Sequence, residues 1–85
     1  NQLAHSLIER GIQKEDIVPI MVDRSFEMVV GLFGIMKAGG AYLPIDPELP
    51  KERINYMLGD SKAKILLTLS SMPKVDFENE ICHLD

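Results

Sequence analysis

The sequence predicts an α/β fold in which helices and strands alternate and the strands join a mostly parallel sheet. Three observations carry the prediction. Apolar residues at helical spacing alternate along the chain with short continuous apolar runs. The order is helix, strand, helix, strand, helix, strand, loop and a last short strand. Strands separated by helices imply right-handed crossovers and parallel pairing. Stop and turn residues, namely Gly11, Gly39-Gly40, Asp46-Pro47 and Gly59, fall between these segments.

The first helix is read from Leu3, Ala4, Leu7 and Ile8, which share one face, with Gly11 as its stop. The pattern begins at once, with no capping residue before it, which implies a segment cut from something longer. Residues 17–22 read as a buried strand, although Pro19 argues against a central position because it cannot donate to a ladder. Asp23 or Ser25 can cap the next helix, residues 26 to about 38. Phe26, Val29, Val30, Phe33 and Met36 form one apolar stripe of that helix, and Met28, Leu32 and Ile35 form another. Gly31, Gly34 and Ala38 form a stripe of small residues that would let another backbone approach closely. Each interior glycine costs about 1 kcal/mol against alanine, so packing has to offset it. Apolar residues around most of the circumference mean burial on more than one side, by neighbours the chain does not contain.

Gly39-Gly40 ends this helix, and residues 41–45 are the next strand. Asp46-Pro47 makes a turn, and Pro50 suits the first helical position, where its missing N–H costs nothing. Ile54, Met57 and Leu58 mark the third helix, with Gly59 as the stop. Residues 64–69 form a leucine-rich buried strand, residues 71–80 a polar connection and residues 81–84 a final short strand.

Composition narrows the function. Of 85 residues, 46% are hydrophobic and 26% charged, an ordinary globular balance that argues against disorder. The formal charge, 9 − 13 = −4, offers no basic excess for nucleic acid. The longest apolar run, residues 28–36, is about half of the roughly 20 residues a bilayer span needs, and no signal segment is visible. A single cysteine, Cys82, forms no internal disulfide, and Cys/His metal clusters are excluded by count. The chain reads as cytoplasmic, without a nucleic-acid or membrane partner.

The residues themselves carry little chemistry. A phosphate-binding glycine run follows a strand and opens a helix, whereas Gly39-Gly40 follows a helix and precedes a strand. Ligands of open parallel sheets sit beyond the carboxyl ends of the strands, where this chain places Asp23, Arg24, Asp46, Thr68, Ser70 and Ser71. Asp46 is read as an Asx-turn residue, Asp23 and Arg24 as a cap and a solvated charge, and the hydroxyls as turn residues open to a ligand. Cys82 and His83, adjacent in a strand, point to opposite faces and cannot readily share a proton. Lys51 and Arg53 belong to an exposed helix face.

One stretch is more specific than its chemistry. Lys37-Ala38-Gly39-Gly40-Ala41-Tyr42-Leu43-Pro44-Ile45-Asp46-Pro47, continuing through Pro50 and Arg53-Ile54 to Met57-Leu58, resembles the second core motif of adenylation domains. These are the amino-acid-activating domains of nonribosomal peptide synthetases, within the acyl-adenylate-forming superfamily. The helix ending at Gly11, residues 16–22, Asp23-Arg24-Ser25 with its apolar helix, and residues 63–68 are similar to the family as well. Pro19 departs from the small or aliphatic residue expected in its strand.

The resemblance implies that residues 1–85 are one fragment of an adenylation domain, truncated at both ends, with no internal boundary and within the large N-terminal core subdomain. It implies a parent that uses ATP and Mg2+ to make an aminoacyl-adenylate and then loads a phosphopantetheine arm on a carrier domain. The implied partners are the remainder of the domain, that carrier and the amino acid. The phosphate loop, the ATP-binding acidic residues, the catalytic lysine and the specificity pocket are expected beyond residue 85. No catalytic, cofactor-binding or metal residue is therefore assigned, and the fragment alone is expected to be inactive and to self-associate. The rivals are a stand-alone D-alanine–carrier protein ligase or acyl-CoA ligase, and a non-enzymatic α/β interaction remnant.

Overall fold

The computed structural model describes residues 1–23 and 25–85. The alternation runs α1 (Gln2–Glu9), β1 (Ile17–Met21), α2 (Phe26–Lys37), β2 (Ala41–Pro44), α3 (Lys51–Asp60), β3 (Ile65–Thr68) and β4 (Glu80–His83). The start of α1 corrects the sequence reading: Asn1 caps it, its side-chain oxygen accepting from the Ala4 N–H at 3.1 Å. The ends of α1 and α2 share one device. Gly11 and Gly39 take φ of 100° and 87°. Their N–H groups donate to Ile8 and Met36, and the following Ile12 and Gly40 donate to Leu7 and Ile35, all at 3.0 Å. This is a Schellman closure, which needs a left-handed residue after the last turn. Gly59 does not stop α3 as expected. Helical bonding continues to the Ser61 N–H on Met57, so the left-handed residue falls at Lys62, with φ 55°.

The four strands form one parallel sheet in the order β2-β1-β3-β4. β1 is therefore central, contrary to the expectation from Pro19. The reason lies in the register. The carbonyls of Asp16 and Ile20 accept from Ala41 and Ile45, so even-numbered residues of β1 turn their backbone groups toward β2. Pro19 faces β3 instead, where pairing starts only at Ile20 with Leu67. The missing N–H falls just outside that ladder. Pro44 is accommodated similarly, since its nitrogen points to the open edge of β2.

Side-chain alternation splits the core between the two faces of the sheet. Val18, Ile20, Ile65 and Leu67 pack beneath α1 and α2 with Leu7 and Ile35. Met21, Ile45 and Leu66 pack against Ile54 and Leu58 of α3. The polar connection after β3 contributes more than its composition suggests, because Met72, Val75 and Phe77 pack on this second cluster.

The expectations for α2 divide. Gly31, Gly34 and Ile35 are buried, but the close approach is made by side chains rather than by a backbone. A Cβ on Gly34 would stand 2.5 Å from Leu3 Cδ2, and one on Gly31 would overlap Ile20. The opposite face stays open. Phe26 is 78% exposed and Phe33 56%.

Candidate functional site at the carboxyl ends of the strands

The connection β1–α2–β2 steps outward to one edge, and β2–α3–β3 steps back across β1. The strand order thus reverses between β1 and β3, and such a switch point opens a crevice at the carboxyl ends. Thr68 lies there, but it does not face a ligand. It is buried, and its hydroxyl donates to the Met21 carbonyl at 2.8 Å, stitching β3 to β1. Ser70 is also engaged: its N–H and its hydroxyl donate to Asp85 Oδ1 at 3.1 and 3.2 Å. The N–H of Ser70 is the main cause that holds the Asp85 carboxyl below its ordinary value. Ser71 is exposed.

Toward β2 the carboxyl ends border an open cleft of about 680 Å³, lined in part by Val22, Asp23, Met28, Asp46 and Glu48. Asp46 makes the expected Asx turn, accepting from the Glu48 N–H at 2.9 Å. Ser25 holds the cap position of α2, yet its hydroxyl donates to the Asp23 carbonyl at 3.3 Å and not to the helix. Its own carbonyl accepts from Met28 at 3.1 Å. Arg24, grouped with Asp23 from the sequence, lies outside the described residues.

Gly39 and Gly40 offer no phosphate cradle. A triphosphate needs unpaired N–H groups or cations aimed at it. The N–H groups of Gly39 and Gly40 are consumed by the end of α2, and the cleft carries carboxylates. Among the described residues no group of three or more His, Cys, Asp or Glu side chains could hold a metal ion. Cys82 is half-buried against the α1–α2 cluster, and His83, on the other face, is exposed. Lys51 and Arg53 are exposed as expected, and the Arg53 guanidinium lies 5.9 Å from the centre of the Tyr56 ring.

The best-organised polar group is at the opposite, amino end of the sheet, and sequence reasoning missed it. Asp16 Oδ2 accepts from the Gln13 N–H at 2.8 Å and from Lys64 Nζ at 2.9 Å. Lys64 also donates to the Gly11 carbonyl at 3.2 Å. The Gln13 hydrogen bond, followed by Lys64, lowers the Asp16 pKa. Arg10 pairs with Glu80 at 2.8 Å beside it. Asp16 and Lys64 each precede a strand by one residue, so parallel topology with neighbouring strands was the signal that could have found them. They fasten the α1 turn to the sheet, which is a structural role.

The fold and its switch point define one unit of an open parallel α/β sheet, with no complete catalytic site among the described residues. A family model described as AMP-binding enzyme matches residues 1–84, and the chain belongs to that family. It is 55% identical over 86 residues to bacitracin synthase 1 of Bacillus licheniformis, which covers all of this chain and 2% of that protein. It is 50% identical over 86 residues to gramicidin S synthase 2 of Brevibacillus brevis, again all of this chain and 2% of the relative. Among solved structures, the nonribosomal peptide synthetase FmoA3 bound to α-methyl-L-serine-AMP superposes with a TM-score of 0.90 at 32% identity, covering 96% of this chain and 10% of the other. The chain thus spans about one-fiftieth of the length of these curated relatives. No helix among the described residues is long and apolar enough to cross a membrane.

Proposed function

We propose that this α/β unit is a structural part of a nonribosomal peptide synthetase adenylation domain, one that activates an amino acid with ATP and Mg2+ and passes it to a phosphopantetheinyl carrier. The observation that carries the proposal is the 55% identity to a peptide synthetase along the whole chain. The match spans the whole chain, and so takes in the sheet, both helical layers and the turn from α2 to β2. On this reading residues 1–85 have no internal domain boundary. The contacts to ATP, metal and amino acid are made by elements outside them, in a cytoplasmic assembly with the rest of the domain and a carrier. The second core motif is architectural: Gly39 closes α2, residues 41–45 form the sheet edge, and Asp46 turns the chain toward α3.

The test is amino-acid-dependent exchange of pyrophosphate into ATP, measured on the 85-residue chain and on the natural polypeptide that contains it. The natural polypeptide is expected to exchange with an amino acid, and the 85-residue chain to show none. Exchange only with D-alanine, or only with a non-amino carboxylic acid, would favour the ligase rivals. No exchange by the natural polypeptide would favour a non-enzymatic module.

A further inference from the structure

We propose that Thr68 is a positioning residue for the nucleotide, acting without touching it by ending the pairing of β1 and β3 at the switch point. The inference deepens the adenylating function proposed above and rests on it. Each parallel pair of this sheet can add one more bond at its carboxyl end, from the residue after the last paired one. β2 adds it to β1, where the Ile45 N–H donates to the Ile20 carbonyl at 2.9 Å. β4 adds it to β3, where the Leu84 N–H donates to the Thr68 carbonyl at 2.9 Å. Between β1 and β3 the last pair is Met21 with Thr68, so the same bond would run from the Leu69 N–H to the Met21 carbonyl. Among the described residues the Leu69 N–H makes no such bond. The Thr68 hydroxyl takes the Met21 carbonyl instead, at 2.8 Å.

Thr68 is the one buried polar side chain among the described residues. A valine of the same shape would suit a buried strand, with no hydroxyl to satisfy, and would leave the ladder free to close. The hydroxyl thus replaces a backbone bond by a gap. That gap falls where the strand order reverses, the place at which doubly wound parallel sheets take nucleotides. The two chains that leave this point also part company. β1 runs on to α2, which packs on one face, while the segment after β3 covers the other face with Val75 and Phe77. Closing the bond from Leu69 would hold the two chains together one residue further and narrow the crevice between them. ATP is the ligand of the proposed reaction that such a crevice suits.

Pyrophosphate exchange by the natural polypeptide that contains this chain, measured against ATP concentration, tests this. Thr68→Val is expected to raise the KM for ATP about tenfold while kcat stays within about twofold. Thr68→Ser, which keeps the hydroxyl, restores the wild-type KM. Leu66→Ala weakens the same strand from the α3 side, lowering the melting temperature and leaving the KM unchanged. Should Thr68→Val not fold, Thr68→Ala, smaller and also without a hydroxyl, carries the same expectation. An unchanged KM in the variants without the hydroxyl overturns the proposal. So does a Thr68→Ser defect equal to that of Thr68→Val, or a rise of the same size in Leu66→Ala. If the natural polypeptide exchanges with no carboxylic acid, the functional reading itself fails, and this proposal falls with it.

Discussion

The two faces of the sheet are finished in different ways. Beneath α1 and α2 the core is closed by regular elements. Leu7, Ile35, Ile20 and Leu67 are fully buried there, and Gly34 lets the Leu3 side chain into the helix surface. On the other face α3 works alone among helices, and an irregular segment completes the cover with Met72, Val75 and Phe77. Asn55 and Asp76 fasten that segment to α3 through two hydrogen bonds, at 3.1 and 3.3 Å. The helical face has apolar surface to spare on its outside, at Phe26 and Phe33. The outer surface of α3 is mainly charged, with Lys51, Glu52, Arg53 and Asp60 exposed beside Tyr56. Dense packing beneath a helix and a polar outer surface are thus separate properties, and each face of this sheet has one of them.

Adjacent residues of β3 give the sharpest test of that contrast. Leu66 and Leu67 are both fully buried, on opposite faces. Replacement by alanine removes the same atoms, and the cost then depends on how far the surroundings collapse into the space. Leu67→Ala, bounded by two helices, is expected to cost about 4 kcal/mol, and Leu66→Ala, bounded partly by a loop that can follow, about 3 kcal/mol. Urea denaturation of the two variants measures the difference. Equal losses would mean that the loop of residues 72–77 packs as rigidly as α1 and α2.

Two glycines extend the comparison at smaller scale. A methyl on Gly34 would meet Leu3 from Cβ to Cδ2, whereas one on Gly59 would meet nothing within 4 Å. Gly34→Ala gains about 1 kcal/mol of helix propensity but overpacks, at a cost of about 1–3 kcal/mol, so a net loss near 1 kcal/mol is expected. Leu3→Ala should remove most of that overpacking in a double-mutant cycle. Gly59→Ala has only the propensity term and should stabilise by about 1 kcal/mol. A thermal melt that ranked the two alanine variants the other way would place the tight face at α3.

Much of this contrast was legible in the sequence. The stripes of α2 gave its all-round apolarity, and Gly39-Gly40 gave its end, because these signals are local and periodic. Pro19 misled because a proline's cost depends on which neighbour its nitrogen faces, and that is a property of register. Gly59 misled because the stopping residue is set by where the last helical bond closes, which put Lys62 in the left-handed position. Val75 and Phe77 were invisible as core because they follow no period. At the carboxyl ends, the Asx turn of Asp46 was readable from Asp-Pro. The commitment of Thr68 to the Met21 carbonyl was not, since it joins residues 47 apart in sequence.

The smallest effect concerns the amino end of the sheet, where Asp16 and Lys64 tie the α1 turn to β3. The Gln13 N–H and then Lys64 lower the Asp16 pKa from its ordinary 3.8. A carboxyl whose pKa is lower folded than unfolded binds more protons in the unfolded state. Its contribution is therefore present above pH 3.8 and is lost as pH falls from there through the folded value. Asp16 is exposed enough for solvent to screen the pair, so the change in global stability is small. It should be local to the helical face. Acidification through that window is expected to speed hydrogen exchange at Ile12 and Asp16 more than at Ser61, whose N–H closes α3 on the other face. Asp16→Asn should abolish the difference, because no proton is then taken up at this site. Equal acid sensitivity at the two ends would show that the bracket does not distinguish the faces, leaving the contrast between them to packing alone.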